Sequence, residues 1–467
     1  MKKFSNLLIA ICLLACVFSC SKSDEVVTVS QPLLTIGKAV DNKTPLSGSI
    51  KGTMKSDSVY NVNGDVFINE NDTLLIQPGV KIYINGNYSI VVKGTLLSLG
   101  SKDKPIYFTV KNVTKTDQIG ADPTTDPAYK GLWGGILGET TAKLLVVKWT
   151  HVEFGGGKAT VSPVSFIANN GNTYPLCFSN PDGVFVLEDS WVYGSVDDPI
   201  RTFGGKLHVM RNTFEKSGFT GGECLNIKSG SVGNFAYNLF IGSATNGSKA
   251  SNNGGKNPQT TIYMYNNTYI DCGYRRAAAG RGGSINFEEG SRGVAYNNLI
   301  VNCKYGVRIV GANGTYLGNT LVSADTANIK YGYNFNYVDS TFIANEIYPT
   351  GFATKIQSTD IPAPGSFLPA SYKPGQVYDG SAVVGKNNPS FVNFPLPQTS
   401  KRMRDISVVG TYNFRLQSNS PALGKGFTGF SPLANGVPVS ANFGATEITP
   451  PNKDLGAYPS DNSGNKH

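Results

Sequence analysis

Five short stretches of this chain carry one pattern: "KLHVMRNTFEKS", "GNFAYNLFIGS", "IYMYNNTYIDC", "GVAYNNLIVNC" and "TYLGNTLVSA". In each, residues of alternating character run into an Asn, pass a bulky apolar residue and end on a small one. Taking that Asn, or its substitute, as an anchor gives Thr150, Asp189, Asn212, Asn238, Asn267, Asn298 and Asn319. Their separations are 39, 23, 26, 29, 31 and 21 residues. A spacing near the low twenties with variable insertions is the mark of a solenoid.

The columns constrain the fold more than the spacing does. Two positions after the anchor stand Trp191, Phe214, Phe240, Tyr269, Ile300 and Leu321, all bulky and apolar. Five positions after it stand Gly194, Ser217, Ser243, Cys272, Cys303 and Ala324, all small, and Gly204, Gly230, Gly290 and Gly311 lie eight before. Period-two patterning in short pieces separated by bends means strands. Strands that keep one side-chain column through six copies must run parallel, which hairpins cannot do. The fold class is therefore all-β, a single-stranded right-handed parallel β-helix with loop excursions and an irregular C-terminal segment. Each coil adds about 4.8 Å along the axis. The 54 Gly, set against only 16% charged residues, suit many short strands joined by tight turns.

A stacked corner Asn can hydrogen-bond the amide of the next coil and accommodate left-handed backbone. Asn212, Asn238, Asn267, Asn298 and Asn319 are thus read as a structural ladder. Cys272 and Cys303 share the small-residue column in adjacent coils, so a disulfide and a pair of buried thiols both fit.

The chain opens "MKKFSNLLIAICLLACVFSCSKSDE". Two Lys precede a short apolar run that stops at Ser19-Cys20, which reads as a signal peptide over 1–19 rather than a permanent span. Removing those residues takes away two Lys and no acid, so the net charge of +9 becomes +7. That is mild and dispersed, and with no nucleic-acid motif it argues against a nucleic-acid partner. The five Cys beyond residue 19 form no CxxC pair, and with only three His they argue against a structural zinc site. Residues 20–50 read as a polar tether, 51–325 as the solenoid with 51–65 capping it, 326–400 as a long excursion and 401–467 as a C-terminal coil and cap.

The segment around Cys20 resembles a bacterial lipoprotein signal, in which the thiol is acylated; Cys16 is the competing site. "SKSDE" resembles the acidic sorting signal of surface lipoproteins of Bacteroidota. "LLIQPGVKIYINGNYSIVVKGTLLSLG" with "GLWGGILG", and the closing "NPSFVNF", "YNFRLQSNSPALGKG" and "DLGAY", are similar to the β-helix proteins of the pectin-lyase-like superfamily. The resemblance implies an outer-membrane, lipid-anchored β-helix facing the cell exterior. It implies little about activity, because that superfamily holds lyases, hydrolases and binding proteins.

Cleavage of an acidic polysaccharide by elimination needs a cation to neutralise the substrate carboxylate, a base for the C5 proton and an acid at the leaving oxygen. In "GGECLNIKSG", Glu223 and Lys228 resemble the Glu–Lys pair of the chondroitinase-B and alginate-lyase type, where Glu helps hold Ca²⁺ and Lys is the base. The match is incomplete. Gly221 replaces the second acid, and "ATNGSKASNNGGK" lacks the Arg found one coil later in that family. Lys228 and Glu288 share a column with Asn257 between them. Arg275, Arg276 and Arg281 sit on a basic loop, and Asp197-Asp198 is a candidate Ca²⁺ site. Tyr331, Tyr333, Tyr337 and Tyr372 are candidates for stacking on sugars. The incomplete catalytic set favours a non-catalytic protein that binds glycan through Lys228, Arg275, Arg276, Arg281 and Glu288, or that sits in a complex with an outer-membrane transporter. A polysaccharide lyase or hydrolase, and an adhesin or surface-layer spacer, are the competing readings.

Overall fold

The computed structural model of the chain describes residues 33–115, 124–276, 282–310, 314–316, 319–341, 343–344, 384–386, 388–398 and 412–467. Among these, parallel strands stack coil upon coil in sheets of 10 and 19 strands, a parallel β-helix. The first face is the ten-stranded sheet, from Gly52–Met54 through Gly205–Met210 to Ile329–Gly332. The larger sheet supplies two faces. The second face follows the anchor corner, as in Thr213–Glu215 and Leu239–Ile241; the third follows the small-residue corner, as in Leu225–Ile227 and Asn246–Ser251.

Alternate residues of all three faces point into the lumen and form one apolar cluster. Its spine on the second face is Val152, Val192, Phe214, Phe240, Tyr269 and Ile300, in register. The Phe214, Phe240 and Tyr269 rings stack with centroids 5.0 and 4.8 Å apart.

The ladder is present, with two members changed. The side chain of each coil accepts from the backbone N–H of the coil before: Thr150 to Ser190 (3.1 Å), Ser190 to Asn212 (3.0 Å), Asn212 to Asn238 (3.1 Å), then through Asn267 and Asn298 to Asn334. Ser190 therefore replaces Asp189, and Asn334 replaces Asn319. The one-residue shift turns Trp191 outward, puts Val192 in the lumen and gives the small column Ser195 instead of Gly194. Asn319 instead pairs antiparallel with Tyr316, and Leu321 with Gly314, in a hairpin. The left-handed backbone also belongs elsewhere. It falls on the residue just before the ladder: Trp149, Asp189, Arg211, Tyr237, Asn266, Asn297 and Tyr333 all have φ between 46° and 60°. The ladder Asn is chosen for its amide, and the residue before it takes the bend. Of the predicted glycine bends, Gly204, Gly230 and Gly290 have φ of 144°, 85° and 75°; Gly311 lies outside the described residues.

The boundaries shift as well. Residues 35–50, expected within the tether, join the first coil: Ala39 bridges Thr53 and Leu46–Ser49 pairs parallel with Val59–Ile68. Ile329–Gly332 and Phe335–Tyr337, expected in the excursion, are the last coil. Tyr331 and Tyr337 are buried there, and Tyr333 stacks on Phe427 at 5.0 Å, so none offers a free ring. Tyr372 lies outside the described residues. Cys272 and Cys303 are free, buried thiols in adjacent coils.

The C-terminal residues form a strap over the outside. Phe391, Phe394, Phe414, Leu455 and Tyr458 cover the apolar outer side of the second face at Leu239, Ile241, Ile270, Leu299 and Val301. Residues 427–456 fasten to the left-handed corner column. Asn297 and Phe427 exchange two hydrogen bonds of 2.8 Å, Asn266 donates to Asp454 O (2.7 Å), and Tyr265 Oη donates to Thr449 O (2.7 Å). A buried ionic cluster reinforces this attachment. Glu188 Oε1 accepts from Thr446 N (2.7 Å) and lies 2.9 Å from His208 Nε2, and Lys148 Nζ donates to Ala441 O (3.0 Å). Burial alone would raise the Glu188 carboxyl, but the His208 ring 2.9 Å away and the charges of Lys148 and Arg211 bring it down to about 2.

A carboxyl lowered in the folded state stabilises it at pH above the unfolded value near 4.5, and that contribution fades as pH falls toward 2. Stability followed by circular dichroism should therefore drop across this window. Glu188→Gln should flatten the drop, and an unchanged acid profile would remove Glu188 as its source.

Candidate functional site

On the third face, Leu225 and Ile227 point into the lumen, so Asn226 between them points out. The same alternation places Arg201, Asn226, Lys249, Asn286 and Arg308 in one outward column, each in register with the next. Stacking at β-sheet spacing forces these groups together, and acids beside the column neutralise its cations. Lys249 Nζ lies 3.1 Å from Glu223 Oε1 and 3.3 Å from Glu288 Oε1. Arg308 donates to Asn286 Oδ1 (2.8 Å) and stands 3.6 Å from Glu288 Oε2. Burial would lower the Lys249 amine, but Glu223 and Glu288 hold it well above its ordinary value.

At the N-terminal end of the column, Asp198 takes three hydrogen bonds: from Glu223 N (2.9 Å), Asn226 Nδ2 (2.7 Å) and Arg201 Nη1 (3.2 Å). Its burial, together with the neighbouring Glu223 and Asp197 carboxylates, pushes its pKa far up. Glu223 moves the other way. Burial opposes its ionisation, but Lys249 and a hydrogen bond with Asp198 hold it well below the usual carboxylate range. Two carboxyls with unequal cationic support in one dry site are thus shifted in opposite directions, Asp198 up and Glu223 down. Asp197, Asp198, Arg201, Glu223, Asn226 and Arg276 border a cleft of about 210 Å³.

The residues expected from sequence are thus sorted. Glu223 and Glu288 are partners of Lys249 and are held in place by it. Ser251, not Asn257, stands in register with Glu288, and no ion pair joins Glu288 to Lys228 among the described residues. Arg275 is held over the Tyr129 ring, donating to Ser217 O (2.7 Å) and Gly218 O (2.8 Å). Arg281 lies outside the described residues, as does Cys20. At the Asp197-Asp198 pair, expected as a Ca²⁺ site, both Asp198 oxygens accept hydrogen bonds. Among the described residues no group of three or more His, Cys, Asp or Glu is arranged for a metal ion. Lys249, Arg201 and Arg308 were not singled out from sequence, and their strand alternation was the signal that could have found them.

Beside this column, Lys228 and Arg276 have no ion pair among the described residues. Lys228 is half-buried, and burial together with the charges of Lys249 and Arg201 lowers its amine below the ordinary lysine value. Arg276 is exposed at the cleft rim. Comparison with family models, with curated proteins and with solved structures finds no match to this chain.

Proposed function

We propose that the chain is a surface-displayed outer-membrane lipoprotein, acylated at Cys20, that binds an acidic polysaccharide on its third face without cleaving it. One contrast supports this reading. The cations of the column, Arg201 and Lys249, are matched by acids, whereas Lys228 and Arg276 beside it have no acid paired to them among the described residues. Unmatched cations beside hydrogen-bonding groups suit a carboxylate or sulfate ester on a sugar chain. Glu223 and Asp198 serve to hold the cleft open and polar.

Affinity electrophoresis and calorimetry against alginate, pectate and glycosaminoglycans test the reading. Lys228→Ala and Arg276→Ala should each weaken binding about tenfold, a loss of about 1.4 kcal/mol, with the melting temperature unchanged. Added salt should reduce affinity of the parent chain more than of either variant. Binding that is absent from all three polymers, or unaffected by both substitutions, overturns the proposal. Palmitate labelling that depends on Cys20 tests the anchor separately.

The lowered Lys228 amine favours a second reading, a lyase in which Lys228 removes the C5 proton. Release of unsaturated product, seen by ultraviolet absorbance and lost in Lys228→Ala, would replace the binding reading with this one.

A further inference from the structure

Two side chains that border the third-face cleft, Arg276 and Asp197, have neither an ion pair nor a hydrogen bond with another side chain among the described residues. They carry opposite charges and do not pair with each other. A Cβ built on Gly221 would lie 3.7 Å from Arg276 Nη1 and 3.7 Å from Asp197 Oδ1, so both groups border the space this glycine leaves open. The other acids of the cleft are engaged. Asp198 accepts from Arg201, Asn226 and the Glu223 N–H, and Glu223 is held by Lys249.

Both groups are preset through their backbones. Asp197 O accepts from Ser195 Oγ (2.5 Å), and Gly222 approaches so closely that a Cβ there would come within 2.7 Å of the Asp197 carbonyl. Gly222 has φ of 115°, which with this approach leaves no room for a side chain. Arg276 N donates to Ala244 O (3.0 Å), and Lys304 Nζ donates to Arg276 O (3.1 Å). Burial and the charge of Glu223 raise the Asp197 carboxyl above its ordinary value, so a donor brought in by a ligand relieves it.

We infer that Asp197 sets which acidic glycan the cleft takes: a uronic acid residue whose ring hydroxyls are free, and not a sulfated one. The inference rests on the acidic-polysaccharide reading and narrows it. Arg276 answers the carboxylate of the sugar, and a neighbouring hydroxyl donates to Asp197. A sulfate ester in place of that hydroxyl has no proton to donate and brings a second negative charge up to the acid. At about 210 Å³ the cleft is smaller than ordinary small-ligand sites of about 300–1,000 Å³, so it reads one residue of a chain rather than a run of them.

Calorimetric titration of the full chain with hexamers of galacturonate, mannuronate and unsulfated chondroitin, each beside its chemically O-sulfated counterpart, tests the inference. Charge attraction alone ranks every sulfated hexamer above its parent sugar. The inference reverses that order, and at least one unsulfated hexamer should bind about tenfold or more tightly than its sulfated form. Asp197→Asn removes the repelling charge and should narrow the gap to about threefold or less, chiefly by strengthening the sulfated form, in a chain of parent melting temperature. Gly221→Leu fills the space that Asp197 and Arg276 border without altering any charge, and should weaken the unsulfated hexamer about tenfold. Arg276→Ala should weaken both forms. No binding of any hexamer overturns the acidic-polysaccharide reading and this inference together. Binding in which the sulfated forms do as well or better, or a preference that survives Asp197→Asn, overturns the inference alone.

Discussion

Replacing Arg211 by Ala is expected to cost about 3–5 kcal/mol of stability, because it strips one partner from a buried ionic cluster. Arg211 is 2% exposed and grips Asp189 through two bonds of 2.9 Å, from Nε and Nη2. It also donates to Thr449 Oγ1 in the strap (2.9 Å) and lies 3.7 Å from Glu188 and 3.5 Å from Glu447. Without it, Asp189 must stay charged in a dry site or take up a proton, and its burial already raises its pKa. The strap then loses a direct fastener to the coils. Limited proteolysis of Arg211→Ala should cut residues 427–456 first, with the β-signal of the coils retained. The double variant Arg211→Met with Asp189→Asn should recover most of the loss, since no charge is left alone. A single variant within 1 kcal/mol of the parent, or a double variant no better than the single, would show that the cluster does not hold the strap.

That cluster marks where the sequence stops being readable. The coils were legible because every turn solves the same problem. Bulky residues must meet in the lumen, small ones must allow the corner, and an amide must bridge to the next coil, so the solution recurs at a near-constant spacing. The frame slipped at Asp189 because Ser190, a hydroxyl, does the ladder's work without looking like Asn. It slipped again at Asn319, where a hairpin supplies an Asn at a spacing the coils would accept. Arg211 and Thr449, by contrast, are 238 residues apart, and no periodicity links them. The strap has no repeat of its own, since each of its bonds answers a different outward side chain. The third-face site was half legible. Glu223 and Lys228 stood out as an acid and a base at a suggestive spacing, but Lys249 looked like one loop lysine among several. Only the register of Asn246–Ser251 against Leu225–Ile227 shows that it fills the middle of the cluster.

The paired asparagines give the second large effect, and they separate two roles that the sequence runs together. Asn267 accepts from the Asn238 backbone N–H (3.0 Å) and side-chain amide (3.0 Å), and donates to Phe235 O (2.9 Å) and to Asn298 Oδ1 (3.1 Å), all fully buried. Asn267→Ala leaves the Asn238 N–H and the Phe235 carbonyl unmet. Each orphaned buried group costs about 1–3 kcal/mol, so a loss of about 3 kcal/mol or more is expected. Asn267→Ser should lose less, because Ser190 already fills this position with a hydroxyl that accepts the Thr150 amide. Asn266, one residue earlier, has φ of 51° and faces the strap, donating to Asp454 O (2.7 Å) and accepting from Asn452 N (3.2 Å). Asn266→Gly keeps the bend available and removes those strap bonds, along with the longer 3.3 Å bond that its Oδ1 accepts from Asn297 Nδ2. It should therefore loosen the strap to proteolysis while the coils unfold near the parent temperature, whereas Asn267→Ala should lower the unfolding of the coils themselves. If the two substitutions produce the same loss in the same transition, the division between a bend residue that holds the strap and a ladder residue that holds the coils is wrong.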